Sequence, residues 1–318
     1  MKKVIKYSII LCMVSWVYAA IMIFGVGIIN PADNPMMYTI FASSYMLLPL
    51  ICAVVLQIIG KEPEPVEGTG GFDKLNLRMK TGLLRFKIKF SWLVAWILPI
   101  VIVLLTIFVN SLLPNCEFNT DMSSLIPADQ VTEEQKEMLG MMMNPTFLIV
   151  TTIISGLFAG ATINALFAFG EEYGWRNYLV DALREKKFVF ASIFIGIVWG
   201  LWHFPLILLG HNYPQHSVAG VFMMVIFCVI ASFVELYFVL KAKSVYPAAI
   251  FHGTINAVAG LNVLLIKGGN DLLNGACGLS GFIVITIVIA IIYVFDKYVC
   301  KDNIFSKTIE EVLDDGER

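Results

Sequence analysis

The sequence predicts an all-α, polytopic membrane protein with about eight transmembrane helices. Three observations carry that prediction. The 318 residues are 58% hydrophobic and 14% charged, with a mean hydropathy of +0.80. A soluble domain carries roughly 25% charged residues. Apolar runs long enough to cross a bilayer recur at 7–29, 37–60, 91–113, 147–170, 188–209, 217–240, 247–266 and 278–299. The loops between them alternate in charge.

The opening MKKVIKYS looks like the start of a secretory signal. The run from Tyr7 to Ile29 is longer than the roughly 7–15 residues of a signal core, so it reads as a membrane anchor. Loops after the odd-numbered runs are short or acidic: NPADNPMM at 30–37, then 114–144 with Glu117, Asp121, Asp129, Glu133, Glu134 and Glu137. Loops after the even-numbered runs are basic, with Lys74, Arg78, Lys80, Arg85, Lys87 and Lys89, then Arg184, Lys186 and Lys187, then Lys241 and Lys243. Of the 22 Lys and Arg, only Lys136 and Lys267 fall on the side opposite the N-terminus. The positive-inside rule therefore predicts a multi-pass protein of the cell membrane with both termini cytoplasmic. The basic loop 61–90 opens with the flexible KEPEPVEGTGG and ends in LLRFKIKF, whose alternation suits contact with inner-leaflet lipid or a solvated charged loop.

The chain divides into N-terminal spans at 1–145, a core at 146–277, and a last span with its tail at 278–318. A net charge of −2 argues against a nucleic-acid partner. The six cysteines form no CxxC pair, and most lie in apolar runs as small hydrophobes. Cys116 and Cys277 share an outer side, where a disulfide can form.

Against this background a few polar groups stand out. EEYGWR follows an uncharged stretch from Thr146 to Gly170 and supplies Glu171, Glu172 and Arg176. His203 lies in WGLWHFP, and His252 and Asn256 lie in FHGTIN. An ionisable group at membrane depth costs about 2.5–3.5 kcal/mol or more, which makes each a functional hypothesis. Their depths agree if the fourth helix continues through EEYGWRNYLVDAL and emerges at REKK. Glu171 is then ~20 Å from Arg184, His203 ~22 Å from Phe188, and His252 ~14 Å from Lys243 along the helix axes. Gly156 and Gly160 are the expected place for a bend in that long segment.

Glu172 and Arg176 are four residues apart and share a helix face, while Glu171 sits ~100° around from Glu172. His252 and Asn256 are likewise stacked. One carboxylate, one imidazole and an imidazole–carboxamide pair suit hydrolysis by water. The carboxylate takes the proton, a His carries one, and the His/Asn pair steadies an oxyanion or holds a metal. Taken singly the groups have plainer roles: a structural ion pair for Glu172–Arg176, and interhelical packing for His203 and for His252–Asn256. Glu235 reads as a snorkelling or packing group near the cytoplasmic end, Asn164 as a cavity liner, and His211 and His216 as ordinary loop residues.

EEYGWRNYL resembles the EExxxR motif of the CPBP family of intramembrane peptidases, which includes CAAX proteases and bacteriocin-processing Abi proteins. WGLWHFP is similar to its FxxxH motif and SVYPAAIFHGTIN to its HxxxN/D motif. The likeness covers about Asn164 to Ala257. It implies an eight-helix bundle with a cavity open to the cytoplasm. The activity it implies is intramembrane endopeptidase action on a hydrophobic, lipidated or leader-type peptide, cut near the cytoplasmic face. Glu171 would then activate water with help from His203. His252 and Asn256 would stabilise the oxyanion, and Glu172 and Arg176 would support the first motif. The metalloprotease reading of the family leaves zinc open, with His203 and His252 as its ligands. Trp199 stands where the motif has Phe. Two other readings remain: a proton-coupled transporter, which predicts inverted repeats, and a non-catalytic scaffold of the same fold.

Overall fold

A computed structural model describes residues 1–27, 34–60, 83–120, 140 and 144–315. The acidic residues from Asp121 to Glu137, together with Lys74, Arg78, Lys80 and Lys136, lie outside them. All eight predicted runs are helical among the described residues. α1 is Lys2–Ala20, prolonged by a π turn at Ile21–Gly25; α2 (Pro35–Tyr45) and α3 (Leu48–Gly60) form the second run. α4 is Phe90–Ser111, α5 Pro145–Ala161 and α6 Ile163–Glu172. α6 runs on through a π segment at Tyr173–Tyr178 to Leu179–Ala182. α7 (Phe188–Trp202) and α8 (Phe204–Leu208) follow, then α9 (Ser217–Ala242), α10 (Tyr246–Val258), α11 (Gly260–Leu265) and α12 (Leu279–Val294). The described chain closes with α13 (Ile309–Asp314).

Six of these segments are long and apolar enough to cross a membrane, seven with the bent α5–α6 pair; α7 is a shorter apolar helix. The starts follow local chemistry. Asn34 and Asn144 cap α2 and α5 by accepting from Met37 N and from Thr146 N, each with Pro at the first helical position. The helix after α5 does continue through EEYGWRNYLVDAL. The bend is 51° and falls at Thr162, beyond Gly156 and Gly160. Those glycines serve close packing instead. A Cβ on Gly160 would lie 2.5 Å from the Thr254 Cα, and one on Gly253 would lie 2.6 Å from the Gly160 carbonyl. They let α10 touch both α5 and α6.

α10 is the central helix; with α11 it forms the span Tyr246–Leu265, whose apolar window is 61% buried, more than any other candidate span among the described residues. It packs against α4, α5, α6 and α9, while α7 lies along α9 and α3 along α6.

The two ends of the bundle are chemically distinct. At one end Lys3 meets Asp181 at 4.0 Å, and Lys89 Nζ donates to the Lys241 carbonyl at 3.3 Å. There too Arg184 pairs with Glu310, and Lys187 bridges Thr308. At the other end a two-stranded antiparallel ribbon joins β1 (Cys116–Phe118) to β2 (Ile266–Gly268). Tyr213 O–H donates to the Cys277 carbonyl and Tyr38 pairs with His211. The described basic residues thus gather at one end, together with the N-terminal and C-terminal segments of the described chain. All six cysteines are free.

The α7–α9 seam is the tightest. A Cβ on Gly196 would lie 2.3 Å from the Val229 Cα, a backbone atom that cannot step aside. Gly196→Ala is expected to cost roughly 1–3 kcal/mol and lower the melting temperature in detergent. Gly260→Ala, with nothing within 4 Å of its Cβ, is the control that should not.

Candidate active site

Glu171 and Glu172 end α6 about 100° apart around the helix, so the two carboxylates face different neighbours, and a π segment follows at Tyr173. π turns inside α-helices are frequent at functional sites. Glu172 and Arg176 have no exposed surface, and Glu172 Oε1 accepts from Arg176 Nη1 at 3.1 Å. Arg176 Nη2 reaches Ser232 Oγ at 3.1 Å and forms an ion pair with Glu235, both on α9. Glu235 is therefore neither snorkelling nor at the surface: it is 1% exposed and tied to the motif arginine. His252 on α10 completes the set, since its Nδ1 lies 2.9 Å from Glu172 Oε1. A carboxylate only accepts, so His252 Nδ1 is the donor and Nε2 is left for other partners.

Glu171 looks the other way, into a cavity of roughly 410 Å³. Its Oε2 accepts from the indole Nε1 of Trp199 at 2.8 Å and of Trp175 at 3.4 Å. Oε1 is the oxygen left for chemistry. Two further contacts of Trp199 bear on the site. Its ring carries the Arg176 guanidinium at 4.3 Å, and its carbonyl lies 2.9 Å from His203 Nδ1. A carbonyl only accepts, so His203 Nδ1–H donates and a neutral His203 presents Nε2 as an acceptor. The indole that departs from the motif's Phe thus supplies a donor that Phe lacks.

Glu171, His203, His252 and Asn256 line the one cavity, with Glu235 at its inner end. His211 also lines it, a residue that reads from sequence as ordinary loop. Its Nδ1 pairs with Tyr38 O–H at 2.8 Å, which joins the 209–216 loop to α2. Burial pushes the His211 imidazole down to about 4, leaving it neutral at pH 7. His216 pairs with Asp271 away from the cavity, and Asn164 Nδ2 donates to the Gly253 carbonyl as an interhelical bridge.

Residues 145–258 match the family model described as Type II CAAX prenyl endopeptidase Rce1-like. They hold all three motifs. Residues 145–258 are therefore similar to the Rce1-like domain of the CPBP family. A curated relative, "CAAX prenyl protease 2" of Methanococcus maripaludis, is 36% identical over 97 residues, covering 29% of this chain and 36% of that protein. The chain therefore spans about a third of the length of the curated relative it matches.

Residues 145–258 also contain donors for a metal. Ligand atoms of Glu172, Glu235 and His252 lie within 4.8 Å of one another, close enough to hold an ion. Among the described residues His203 joins no such three-donor group. In the trio Arg176 already pairs with both carboxylates, so a cation there must displace a buried guanidinium. The trio fits Arg176 better than it fits zinc.

Removing one partner of a buried charge cluster costs about 3–5 kcal/mol because the others are left unpaired. Arg176→Met is expected to abolish folding or lower the detergent melting temperature sharply. The triple change Arg176→Met with Glu172→Gln and Glu235→Gln should recover much of that loss.

Proposed function

We propose that the chain is an intramembrane endopeptidase that hydrolyses a peptide bond of a hydrophobic, lipidated or leader-type peptide. The observation that carries this is the convergence of Glu171, His203, His252 and Asn256 on one cavity inside an apolar bundle. The Rce1-like match and the name of the Methanococcus relative support the same reaction class.

The chemistry follows from the hydrogen bonds. With Oε2 held by two indoles, Glu171 Oε1 takes a proton from a water as its oxygen bonds to the peptide carbonyl carbon. His203 Nε2 accepts that water's second hydrogen and orients it. The carbonyl oxygen becomes an oxyanion beside Asn256 and His252. Asn256 gives an amide hydrogen bond, and His252 gives one from Nε2 as an imidazolium with Glu172 as counter-ion. Glu171 then passes its proton to the leaving nitrogen as the C–N bond breaks. Arg176 and Glu235 hold Glu172 in place. No step runs through a metal, so zinc has no part in this mechanism. The 146–277 core carries the chemistry, while the spans at 1–145 and 278–318 wall it. By charge bias the basic end, with both termini, faces the cytoplasm. The face from which substrate arrives depends on the direction in which the cavity opens.

The test is cleavage of a hydrophobic peptide library by purified protein in detergent. Glu171→Gln should remove activity, and Asn256→Ala should cost ~100–1,000-fold, the loss typical of one oxyanion donor. A chelator should leave the rate unchanged. No cleavage by folded wild type would favour a scaffold. Trp199→Phe keeps the ring but loses one hydrogen bond to a charged group, worth about 1.5–3 kcal/mol. The turnover rate should fall ~10-fold or more with the melting temperature nearly unchanged.

A further inference from the structure

The cavity has a direction. Toward the basic end the described lining is buried: Ala231, Glu235 and Phe251 are all 3% exposed or less. The most exposed lining residues are Asn212, Asn256 and Gly260. Asn212 belongs to the loop between α8 and α9, and Ala276 and Cys277 of the loop before α12 also line the cavity. Both loops sit at the end that carries the β1–β2 ribbon. α10 makes the same point in one helix. It runs from Tyr246 at the basic end, and its lining passes from buried His252 through exposed Asn256 toward Gly260 in α11. α2 agrees from the opposite direction, since its contributions, Ala42 and Tyr45, come from the segment that starts at the ribbon end.

The charge distribution orients that axis. By sequence, only Lys136 and Lys267 among 22 basic residues fall in loops on the side opposite the N-terminus, and Lys267 lies in the ribbon; this is the pattern of an extracytoplasmic face. The cytoplasm-facing cavity that the family resemblance implies and the cytoplasmic basic loops that the charge bias predicts therefore point to opposite ends of the bundle. We infer that the reaction cavity opens on the face opposite the basic loops, and that the substrate is a peptide segment presented from the extracytoplasmic side. Such a segment is an exported peptide, or the outer end of a membrane-anchored one. The mouth suits a peptide backbone, with His211, Asn212 and Asn256 offering hydrogen bonds and Met224, Phe227 and Ile255 offering apolar wall. The direction of opening stands on geometry and charge alone; the substrate class rests on the peptidase reading.

Two native cysteines make the test. Cys277 lines the cavity at the ribbon end, and Cys300 lies at the basic end, close to the Lys241–Asp302 pair; both are part-exposed. Intact cells expressing the full chain are treated with a membrane-impermeant maleimide, and labelled sites are mapped by mass spectrometry. Cys277 should label without permeabilisation and Cys300 only after it. Gln215→Cys and Lys186→Cys, both at exposed positions of the two ends, should repeat the pattern. The reverse order in either pair overturns the inference, as does a Cys277 that stays unlabelled while Gln215→Cys reacts. A peptide cut by the purified enzyme should also be cut when added to intact cells; cutting only after permeabilisation overturns the substrate assignment. Failure of every peptide in detergent would count against the peptidase reading and leave the labelling result standing.

Discussion

A guanidinium with no exposed surface needs counter-charge wherever the bundle places it, and Arg176 finds it on two helices. Glu172 lies one turn back on its own helix and Glu235 on α9. His252 on α10 then shares Glu172. Three segments are joined through one cation at the depth where solvent cannot substitute. Losing any member leaves a charge in an apolar medium. The orientation of His252 toward the cavity, and so of Asn256 one turn above it, is inherited from that cluster.

A second carboxylate beside the first has a different fate because the helix turns it away. Glu171 escapes the arginine and meets two indoles, which hold one oxygen without neutralising its charge. The two neighbouring glutamates thus divide into one tied into the buried ion cluster and one that lines the cavity. Trp199 ties the halves together: it donates to Glu171, stacks on Arg176 and fixes His203 through its carbonyl. One side chain and its own backbone carbonyl hold the cavity carboxylate, the buried cation and the cavity imidazole.

Much of this is legible in a sequence because lipid makes polar residues rare. Glu171, His203, His252 and Asn256 stand out by composition and agree in depth by helix rise, and the π segment does not disturb that arithmetic. Glu235 is harder to read. It stands six residues before Lys241, and proximity to a basic loop suggests snorkelling, whereas the ion pair with Arg176 depends on how α9 packs against α6. His211 is hidden for a similar reason, since its partner Tyr38 is 173 residues away. The donor role of Trp199 is visible only as a departure from a motif, and its meaning required the position of Glu171. The breaks at Met46–Leu47, Thr162 and His203 left little periodic trace, because both halves of each broken run are apolar.

The stretch at 304–315 adds a constraint of another kind. Phe188 N donates to the Lys307 carbonyl, Ile309 N to Lys186 O, and Glu310 N to Arg184 O. Lys243 Nζ meets the Leu313 carbonyl, and a capping box at Thr308 and Glu311 holds the short helix that makes these contacts. The turn leaving the EEYGWR helix is therefore stitched to a segment far later in the chain. Membrane insertion proceeds from the N-terminus, so the motif helix enters the bilayer well before its stitching partner exists. Assembly of the cavity has a built-in order: it is finished after translation of the last span, and a nascent chain holds the cavity's polar groups in an unsecured arrangement.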